Sequence, residues 1–174
     1  MTGEHIDNFL KHKKSLPSWQ PLFCHIEFSI NGTCNRRCFF CPRVDPKKYP
    51  NISKSLDIEV FKKMLNDLAK VKFNGRMSFS GFGEPLLTKN LVQYVKLIKR
   101  KLNNIYIEVT TNGDVLLSKN GTKRLKELFD HGLTNVKVSL YDGPEQIKPM
   151  EKIKKDLNLS DDEFIIRKRY LGPD

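Results

Sequence analysis

Three of the four cysteines in this sequence, Cys34, Cys38 and Cys41, lie within eight residues of one another. Their spacing is C-x3-C-x2-C, and the thiolate of cysteine is both a metal ligand and a redox group. The first residues show no basic region followed by an apolar stretch, so no secretory signal is expected. In such a chain a cysteine cluster indicates a metal or redox site rather than disulfide bonds.

The number of thiols restricts the kind of metal site. Zinc and iron–sulfur cubes both normally take four protein ligands, whereas this cluster offers three. Three thiolates on an iron–sulfur cube would leave one iron open to a substrate or cofactor, as a catalytic zinc keeps one open position. The alternatives are a structural zinc with His25 as its fourth ligand, or three unligated buried thiols. Cys24 alternates in phase with Ile26 and Phe28, so it is expected to be a small buried residue and not a ligand.

Short alternating segments and longer amphipathic segments follow one another from residue 23 onwards. Alternation of apolar and polar residues predicts strands, and apolar residues three and four apart predict helices. The predicted strands are 23–30, 77–80, 105–111, 136–140 and 163–170. The predicted helices are 56–71, 88–102, a helix that ends near Gly132, and 145–157, and residues 31–55 are expected to form a loop. This order is typical of a parallel α/β sheet, open or barrel-like, with helices on its outside.

Each predicted strand has one apolar face and one face that carries polar residues. Helices would cover the apolar faces, and the polar faces would then share one inner surface. Because a fully packed parallel sheet would read as continuous apolar runs, this pattern predicts a curved sheet around a wet cavity with polar walls. The charged or titratable residues expected on that surface are His25, Glu27, Glu108, Lys137 and either Arg167 or Arg169. They predict a polar substrate, with simple pairing of Glu108 and Lys137 across neighbouring strands as the alternative.

Length, charge and hydropathy restrict the class of protein. The chain has 174 residues, which suggests one domain, or one domain and a fragment. No segment is apolar over the roughly 18 residues that a membrane span needs, so a cytoplasmic protein is expected. The net charge is +11, but the basic residues are scattered along predicted helix faces and do not interleave with aromatic residues. A solvated basic surface is therefore favoured, and a nucleic-acid partner is not expected.

The cysteine motif, with Phe40 directly before its last cysteine, resembles the signature of the radical S-adenosylmethionine (radical SAM) superfamily. The resemblance implies that Cys34, Cys38 and Cys41 hold a [4Fe-4S] cluster whose open iron is chelated by S-adenosylmethionine. It also implies that Phe40 lies near the adenine. Cys41-Pro42 and the aromatic loop are most similar to the subgroup with a C-terminal extension (SPASM or twitch) that carries auxiliary clusters.

Three further stretches agree with this resemblance, each at the end of a predicted strand. Gly81-Phe82-Gly83-Glu84-Pro85 resembles the motif that contacts the methionine amino group, although Phe82 separates its two glycines. Glycines there would let the backbone approach a ligand closely, and Glu84 would be an anionic partner for the amine. Thr110-Thr111-Asn112-Gly113 resembles the third-strand motif, which places Asn112 near the sugar or carboxylate, and Ser139 matches a ribose-contacting position.

The resemblance implies an α/β fold, namely an incomplete (β/α)6 partial TIM-type barrel with parallel strands, outer helices and about five strands present. Residues 1–22 would form a helical or extended lead-in, and residues 23–174 a radical SAM core truncated after its fifth strand. In this family a one-electron reductant of the flavodoxin or ferredoxin type reduces the cluster. S-adenosylmethionine is then cleaved to a 5′-deoxyadenosyl radical that abstracts hydrogen from the substrate.

The substrate implied by the resemblance is polar, whether a small molecule, a cofactor precursor, a peptide or a protein. One alternative is an activase that generates a glycyl radical on a partner protein. The other is an iron–sulfur electron-transfer protein without enzymatic activity, which would be expected to have a fourth cysteine ligand and no ligand-binding motifs.

Overall fold

A computed structural model describes residues 24–102 and 104–170 of the chain. Five parallel strands form the main sheet in the order β1-β4-β5-β6-β7, and β2 and β3 form a separate antiparallel pair. The strands are β1 (His25–Phe28), β2 (Asn31–Gly32), β3 (Ile52–Ser55), β4 (Arg76–Phe79), β5 (Tyr106–Thr111), β6 (Asn135–Leu140) and β7 (Phe164–Lys168). The helices are α1 (Ile58–Lys70), α2 (Leu91–Lys101), α3 (Gly121–Asp130) and α4 (Ile147–Asp156).

The strands of the main sheet are neighbours in their order along the chain. Each connection therefore crosses in the same direction, and right-handed crossovers of this kind leave all the helices on one side. A doubly wound sheet reverses direction at its middle, and this sheet does not. The fold is therefore the predicted α/β arrangement of a partial TIM-type barrel, with the carboxyl ends of all five strands at one edge.

The core lies between the sheet and the helices. Apolar residues of alternate positions in the strands, such as Met77, Phe79 and Val109, are fully buried against the helices. Residue Asp57 caps α1, because its side chain accepts hydrogen bonds from the backbone N–H groups of Glu59 and Val60. Burial of one helix face supplies most of the stability of such short helices.

The predicted stop of α3 at Gly132 is confirmed. Gly132 has a φ of +106°, a left-handed conformation that glycine adopts without strain. Its N–H donates to the Phe129 carbonyl at 3.0 Å, and the N–H of Leu133 donates to the Leu128 carbonyl at 2.9 Å. These two bonds form the Schellman motif, which satisfies carbonyls that the helix itself leaves free.

The structure differs from the sequence prediction in the segment expected to be a loop, residues 31–55. This segment contains the β2–β3 pair and a 3-10 turn at Pro42–Val44. Buried Arg43 holds it together, since its guanidinium donates to the Gly32 carbonyl at 2.8 Å, to Asn51 Oδ1 at 2.7 Å and to the Phe82 carbonyl. Hydrophobic periodicity could not reveal this segment, because polar contacts and not an apolar face organise it.

Two further expectations need correction or fall outside the described residues. Cys24, expected to be buried, is half-buried at the start of β1, where its carbonyl accepts the N–H of Arg76 at 2.8 Å. The lead-in predicted for residues 1–22 and the end of the chain after residue 170 lie outside the described residues. No helix in the described ranges is long and apolar enough to cross a membrane.

Candidate functional site

The segment from Cys34 to Cys41, called here the cysteine loop, lies at the carboxyl edge of the main sheet. Asn51 fixes its beginning, because the side chain of Asn51 bonds both the N–H and the carbonyl of Cys34 at 3.0 Å. Its end is a turn in which the N–H of Cys41 donates to the carbonyl of Cys38 at 2.9 Å. All three thiols are free and half-buried.

The three thiols influence one another electrostatically. Burial raises the pKa of the Cys34 and Cys38 thiols, Cys41 raises both further, and Arg36 lowers that of Cys38. Among the described residues there is no group of three or more His, Cys, Asp or Glu side chains that could hold a metal ion as they stand. All three thiols lie in one short loop.

Arg36, inside the cysteine loop, joins the loop to the ends of two strands. Its guanidinium binds Asp114, after β5, through Nε at 2.7 Å and Nη2 at 2.6 Å. It also binds Asp142, after β6, through Nη1 and Nη2 at 2.7 Å. The same guanidinium lies 5.8 Å from the ring centre of Tyr141. We call these contacts the Arg36 clamp, and they anchor the middle of the cysteine loop to the sheet edge.

Asn112, a predicted site residue, lies next to the cysteine loop. Its Nδ2 donates to Asn35 Oδ1 at 2.9 Å and lies 4.0 Å from the sulfur of Cys34. Asn35 in turn donates to Asp114 at 2.6 Å, so it bridges Asn112 and the Arg36 clamp. The structure thus brings Asn112 and the first cysteine together, although they are far apart in the sequence.

The turn Gly81-Phe82-Gly83 packs against Ser29 and Asn31, in the segment that precedes the cysteines. Gly81 has a φ of +96°, which disfavours any side chain. A Cβ on Gly83 would lie 2.3 Å from both the carbonyl oxygen and Oδ1 of Asn31, so only glycine fits. The N–H of Glu84 donates to the carbonyl of Thr33 at 2.8 Å. Both glycines are therefore required by close backbone packing beside the cysteine loop.

Glu84 is buried, and its carboxylate is occupied by donors of the chain itself. Oε1 accepts from Thr111 Oγ1 at 2.6 Å and from the Leu86 N–H at 3.0 Å, and Oε2 accepts from the Asn112 N–H at 2.9 Å. Burial raises the pKa of this carboxyl, against the effect of these donors. Glu84 therefore ties the turn after β4 to the end of β5 and orients Asn112, a role that the sequence did not indicate.

The remaining predicted residues lie along the same edge. Phe40 is 57% exposed, and its ring centre is 5.4 Å from that of Tyr141. Tyr141 shares a hydrogen bond with Ser139, which is buried near the end of β6. Buried Ser80, directly before the Gly81 turn, has a hydroxyl without a hydrogen-bond partner in the described structure. A buried hydroxyl in that state is a candidate for bonding a ligand.

Sequence reasoning missed several residues that build this edge. Their roles depend on polar contacts between distant segments, which no local periodicity reveals. The only available signal was position, since Arg36 lies between two cysteines and Arg43 follows the Cys41-Pro42 step. The missed residues are Asn31, Arg36, Arg43, Asn51, Thr111, Asp114 and Asp142.

The polar faces of the strands contact one another on the inner side of the sheet. Lys137 and Glu108 pair at 2.5 Å and both are buried, so the pairing considered from the sequence is confirmed. Arg76 lies 3.8 Å from the same carboxylate and 3.1 Å from His25 Nδ1, and His25 Nε2 lies 2.7 Å from Ser78 Oγ. Much of the polar inner surface that was expected to line a water-filled cavity is therefore a buried network of ion pairs and hydrogen bonds.

Comparison with known proteins agrees with this architecture. Residues 28–162 match the model of the radical SAM superfamily. An S-adenosyl-L-methionine-dependent 2-deoxy-scyllo-inosamine dehydrogenase of Niallia circulans is 34% identical over 122 residues, which is 70% of this chain and 46% of that protein. A GTP 3′,8-cyclase of Clostridium perfringens (strain SM101 / Type A) is 28% identical over 116 residues, 67% of this chain and 34% of that protein. The crystal structure of BtrN in complex with AdoMet and 2-DOIA has a TM-score of 0.72 and 26% identity, covering 88% of this chain and 59% of that one.

The chain belongs to the radical SAM superfamily, since the family model matches well over half of it. The relatives named above are enzymes, and the cofactors expected from the sequence, S-adenosylmethionine and a [4Fe-4S] cluster, are those of this superfamily. The chain covers less than half the length of either of these two relatives.

Proposed function

We propose that this chain is the catalytic core of a radical SAM enzyme, in which Cys34, Cys38 and Cys41 hold a [4Fe-4S] cluster. The observation that carries the proposal is the cysteine loop anchored at the carboxyl edge of a partial barrel, beside the Gly81 turn and Asn112. When bound, the cluster supplies the electron that cleaves S-adenosylmethionine, and the resulting 5′-deoxyadenosyl radical abstracts hydrogen from a polar substrate.

Three thiolates in one loop are compatible with an iron–sulfur cube that keeps one iron open. In an iron–sulfur cube each thiolate binds a different iron atom, so the three sulfurs need not meet at one point. The three thiols are half-buried. Three ligands without a fourth cysteine in the loop also argue against a simple electron-transfer protein.

The residues expected to contact S-adenosylmethionine are Phe40, Gly81, Gly83, Glu84, Asn112 and Ser139. Exposure of Phe40 favours a stacking role, and the Asn112 amide, which donates to Asn35, lies beside the sulfur of Cys34. Glu84 is expected to act mainly by positioning, because its carboxylate already accepts from Thr111 and Asn112. The unpartnered hydroxyl of Ser80 is a further candidate contact.

The partners proposed for this core are a one-electron reductant of the flavodoxin or ferredoxin type and a polar substrate. The names of the two relatives refer to an inosamine and to GTP, both small molecules. They favour a small polar substrate over a glycyl-radical activase that acts on a partner protein. Hydrogen abstraction at a C–H bond is the step that these reactions would share.

Anaerobic reconstitution with iron and sulfide, followed by reduction with S-adenosylmethionine present, tests the proposal. We expect a brown protein that releases 5′-deoxyadenosine. Cys38→Ala should lose both colour and product, because each thiol of the loop is a ligand. Cys24→Ala is the matched control, since Cys24 lies directly before β1 and outside the loop, and it should keep both. If the protein binds a cluster but releases no 5′-deoxyadenosine, the proposed enzymatic activity is refuted. If Cys38→Ala and Cys24→Ala bind equal amounts of cluster, the proposed set of cysteine ligands is refuted.

A further inference from the structure

The loop of residues 42–50 follows the cysteine loop directly and exposes apolar side chains beside lysines. Val44, Tyr49 and Phe82, the last from the turn after β4, are 49%, 37% and 46% exposed. The ring centres of Tyr49 and Phe82 are 5.3 Å apart, so the two rings form one surface. Lys47 and Lys48 are exposed and lie in the loop between Val44 and Tyr49. We call these five residues the Tyr49 face.

Buried Arg43 fixes the Tyr49 face in place. Its guanidinium carbon lies 4.9 Å from the ring centre of Tyr49, and its Nε donates to the carbonyl of Phe82. Its Nη1 donates to the carbonyl of Pro50 at 3.4 Å and to Asn51 Oδ1 at 2.7 Å. One side chain therefore holds both aromatic residues, and a surface that is already ordered loses little conformational entropy when a partner binds.

A short path joins the Tyr49 face to the last cysteine. The N–H of Val44 donates to the carbonyl of Cys41 at 3.0 Å, and the N–H of Tyr49 donates to the carbonyl of Asp45 at 2.9 Å. Three residues of chain span at most about 11 Å, so the Cα of Val44 lies within that distance of the Cα of Cys41. Because electron transfer slows steeply with distance, a redox protein bound to this face would be well placed to reduce a cluster on the cysteines.

The Tyr49 face lies toward different strands from two of the expected contacts of S-adenosylmethionine. Arg43 ties the face to the carbonyl of Gly32 in β2 and to the carbonyl of Phe82 after β4. Phe40 instead packs against Tyr141, after β6, and Asn112 directly follows β5. A protein on the Tyr49 face would therefore not have to displace the groups at the ends of β5 and β6.

The charge of the loop 42–50 is positive. Its one carboxylate, Asp45, accepts the N–H of Lys47 at 2.9 Å and lies 4.0 Å from Lys48 Nζ. The contacts of Arg43 named above are to neutral oxygens, which do not cancel its charge. Three cations minus one carboxylate give this loop a charge of +2, and the whole chain has +11. An acidic partner would therefore be attracted to the protein and oriented on this face.

We propose that the Tyr49 face is the docking surface for the one-electron reductant, a carrier protein with an acidic surface around its redox centre. The proposal rests on the proposed function and assigns its reductant to a surface. In the complex the carrier is oxidised by one electron and the [4Fe-4S] cluster is reduced by the same electron, with no bond formed or broken. Exposed apolar side chains bordered by charges are typical of interaction sites. Electron-transfer complexes are small, so one apolar centre with a charged rim is sufficient.

Calorimetric titration of the reconstituted full chain with a purified flavodoxin of net negative charge tests the proposal without turnover. We expect binding that weakens as salt is added. Lys47→Glu combined with Lys48→Glu should weaken it about tenfold or more. Lys123→Glu combined with Lys152→Glu makes the same change in net charge at exposed positions of α3 and α4, and this matched control should bind as the unaltered protein does.

The apolar centre is tested by a second pair of variants. Tyr49→Ala should weaken flavodoxin binding about fivefold or more, because aromatic residues at the centre of an interface carry much of the binding energy. Val71→Ala, at a comparably exposed residue directly after α1, is its control and should have no effect. Iron bound per chain should be equal in all four variants.

The choice of reductant separates docking from chemistry. With flavodoxin as the electron source, the Lys47→Glu and Lys48→Glu double variant should release 5′-deoxyadenosine about tenfold more slowly at low carrier concentration. With dithionite, a small reductant that needs no docking surface, its rate should equal that of the unaltered protein.

The results distinguish this proposal from the proposed function. Absence of flavodoxin binding, equal weakening by the Lys123→Glu and Lys152→Glu control, or an equal loss of rate with dithionite would overturn the docking surface. A concentration-dependent dimer that Tyr49→Ala dissociates would assign the face to a second copy of the chain and would also overturn it. Flavodoxin binding with the expected variant pattern would support the surface even if dithionite yields no 5′-deoxyadenosine, a result that would refute only the enzymatic activity.

Discussion

Removal of the Arg36 clamp by Arg36→Ala should destabilise the protein and loosen the cysteine loop. The side chains of Arg36 and Asp114 are 16% and 30% exposed, so their bidentate pair is worth about 1.5–3 kcal/mol. Asp142 is 57% exposed, and its pair with Arg36 is worth about 0–1 kcal/mol. The free energy of unfolding should therefore fall by about 1.5–4 kcal/mol.

Urea denaturation of the reduced protein under anaerobic conditions measures this change. Arg37→Ala is the matched control, because Arg37 is the neighbouring arginine in the same loop and is exposed. It should change the free energy of unfolding by less than about 0.5 kcal/mol. Arg36→Lys keeps the positive charge but not the planar guanidinium group. Its loss of unfolding free energy should therefore lie between those of Arg37→Ala and Arg36→Ala. Iron bound per chain after reconstitution should decrease in the same order.

The pH dependence of the Arg36 effect has a defined sign. The hydrogen bond from Arg36 lowers the pKa of Asp142 in the folded protein. A lowered carboxyl pKa adds stability above the unfolded value, about 4, and this stability disappears as the pH falls through the folded value. The difference between the unaltered protein and Arg36→Ala should therefore narrow below about pH 4. An equal effect of Arg36→Ala and Arg37→Ala, or a difference that widens in acid, would refute the clamp.

Three further changes test other parts of the site. Gly83→Ala would force a Cβ to within 2.3 Å of Asn31 and should lower the free energy of unfolding by about 1–3 kcal/mol, measured by urea denaturation. Glu84→Gln replaces one acceptor oxygen of the carboxylate by a donor, so the free energy of unfolding should fall by about 1–3 kcal/mol. Release of 5′-deoxyadenosine should also decrease. Unchanged stability would contradict the positioning role of Glu84. Lys137→Met leaves Glu108 buried without its nearest cation and should lower the free energy of unfolding by about 3–5 kcal/mol. Adding Glu108→Gln to Lys137→Met should recover part of that loss. If the losses of the two single variants simply add, the two side chains do not act as a pair.

Much of the fold could be predicted because it depends on local patterns. The strand and helix order, the outer position of the helices and the end of α3 at Gly132 follow from periodicity and from one turn residue. Predicted boundaries differ from the observed ones by a few residues at the ends, where capping contacts decide. The β2–β3 pair was missed since Arg43 and Asn51, not an apolar stripe, hold it.

The site was predictable only in part. The cysteines were evident from their spacing, and the ends of parallel strands must meet at one edge, so Asn112 and the Gly81 turn could be placed near them. Glu84 was singled out from its motif, but its partners could not be foreseen, because Thr111 and Asn112 approach it across the sheet.

The sequence by itself determined the thiol set, the glycine positions and the alternation of strands and helices, because each is a local property of residue type and spacing. The tertiary structure decided how charge is distributed. It placed Arg36 between Asp114 and Asp142, buried Glu108 among cations, and saturated the carboxylate of Glu84 with donors. Electrostatic interactions depend on distance and burial, which the order of residues along a chain does not specify.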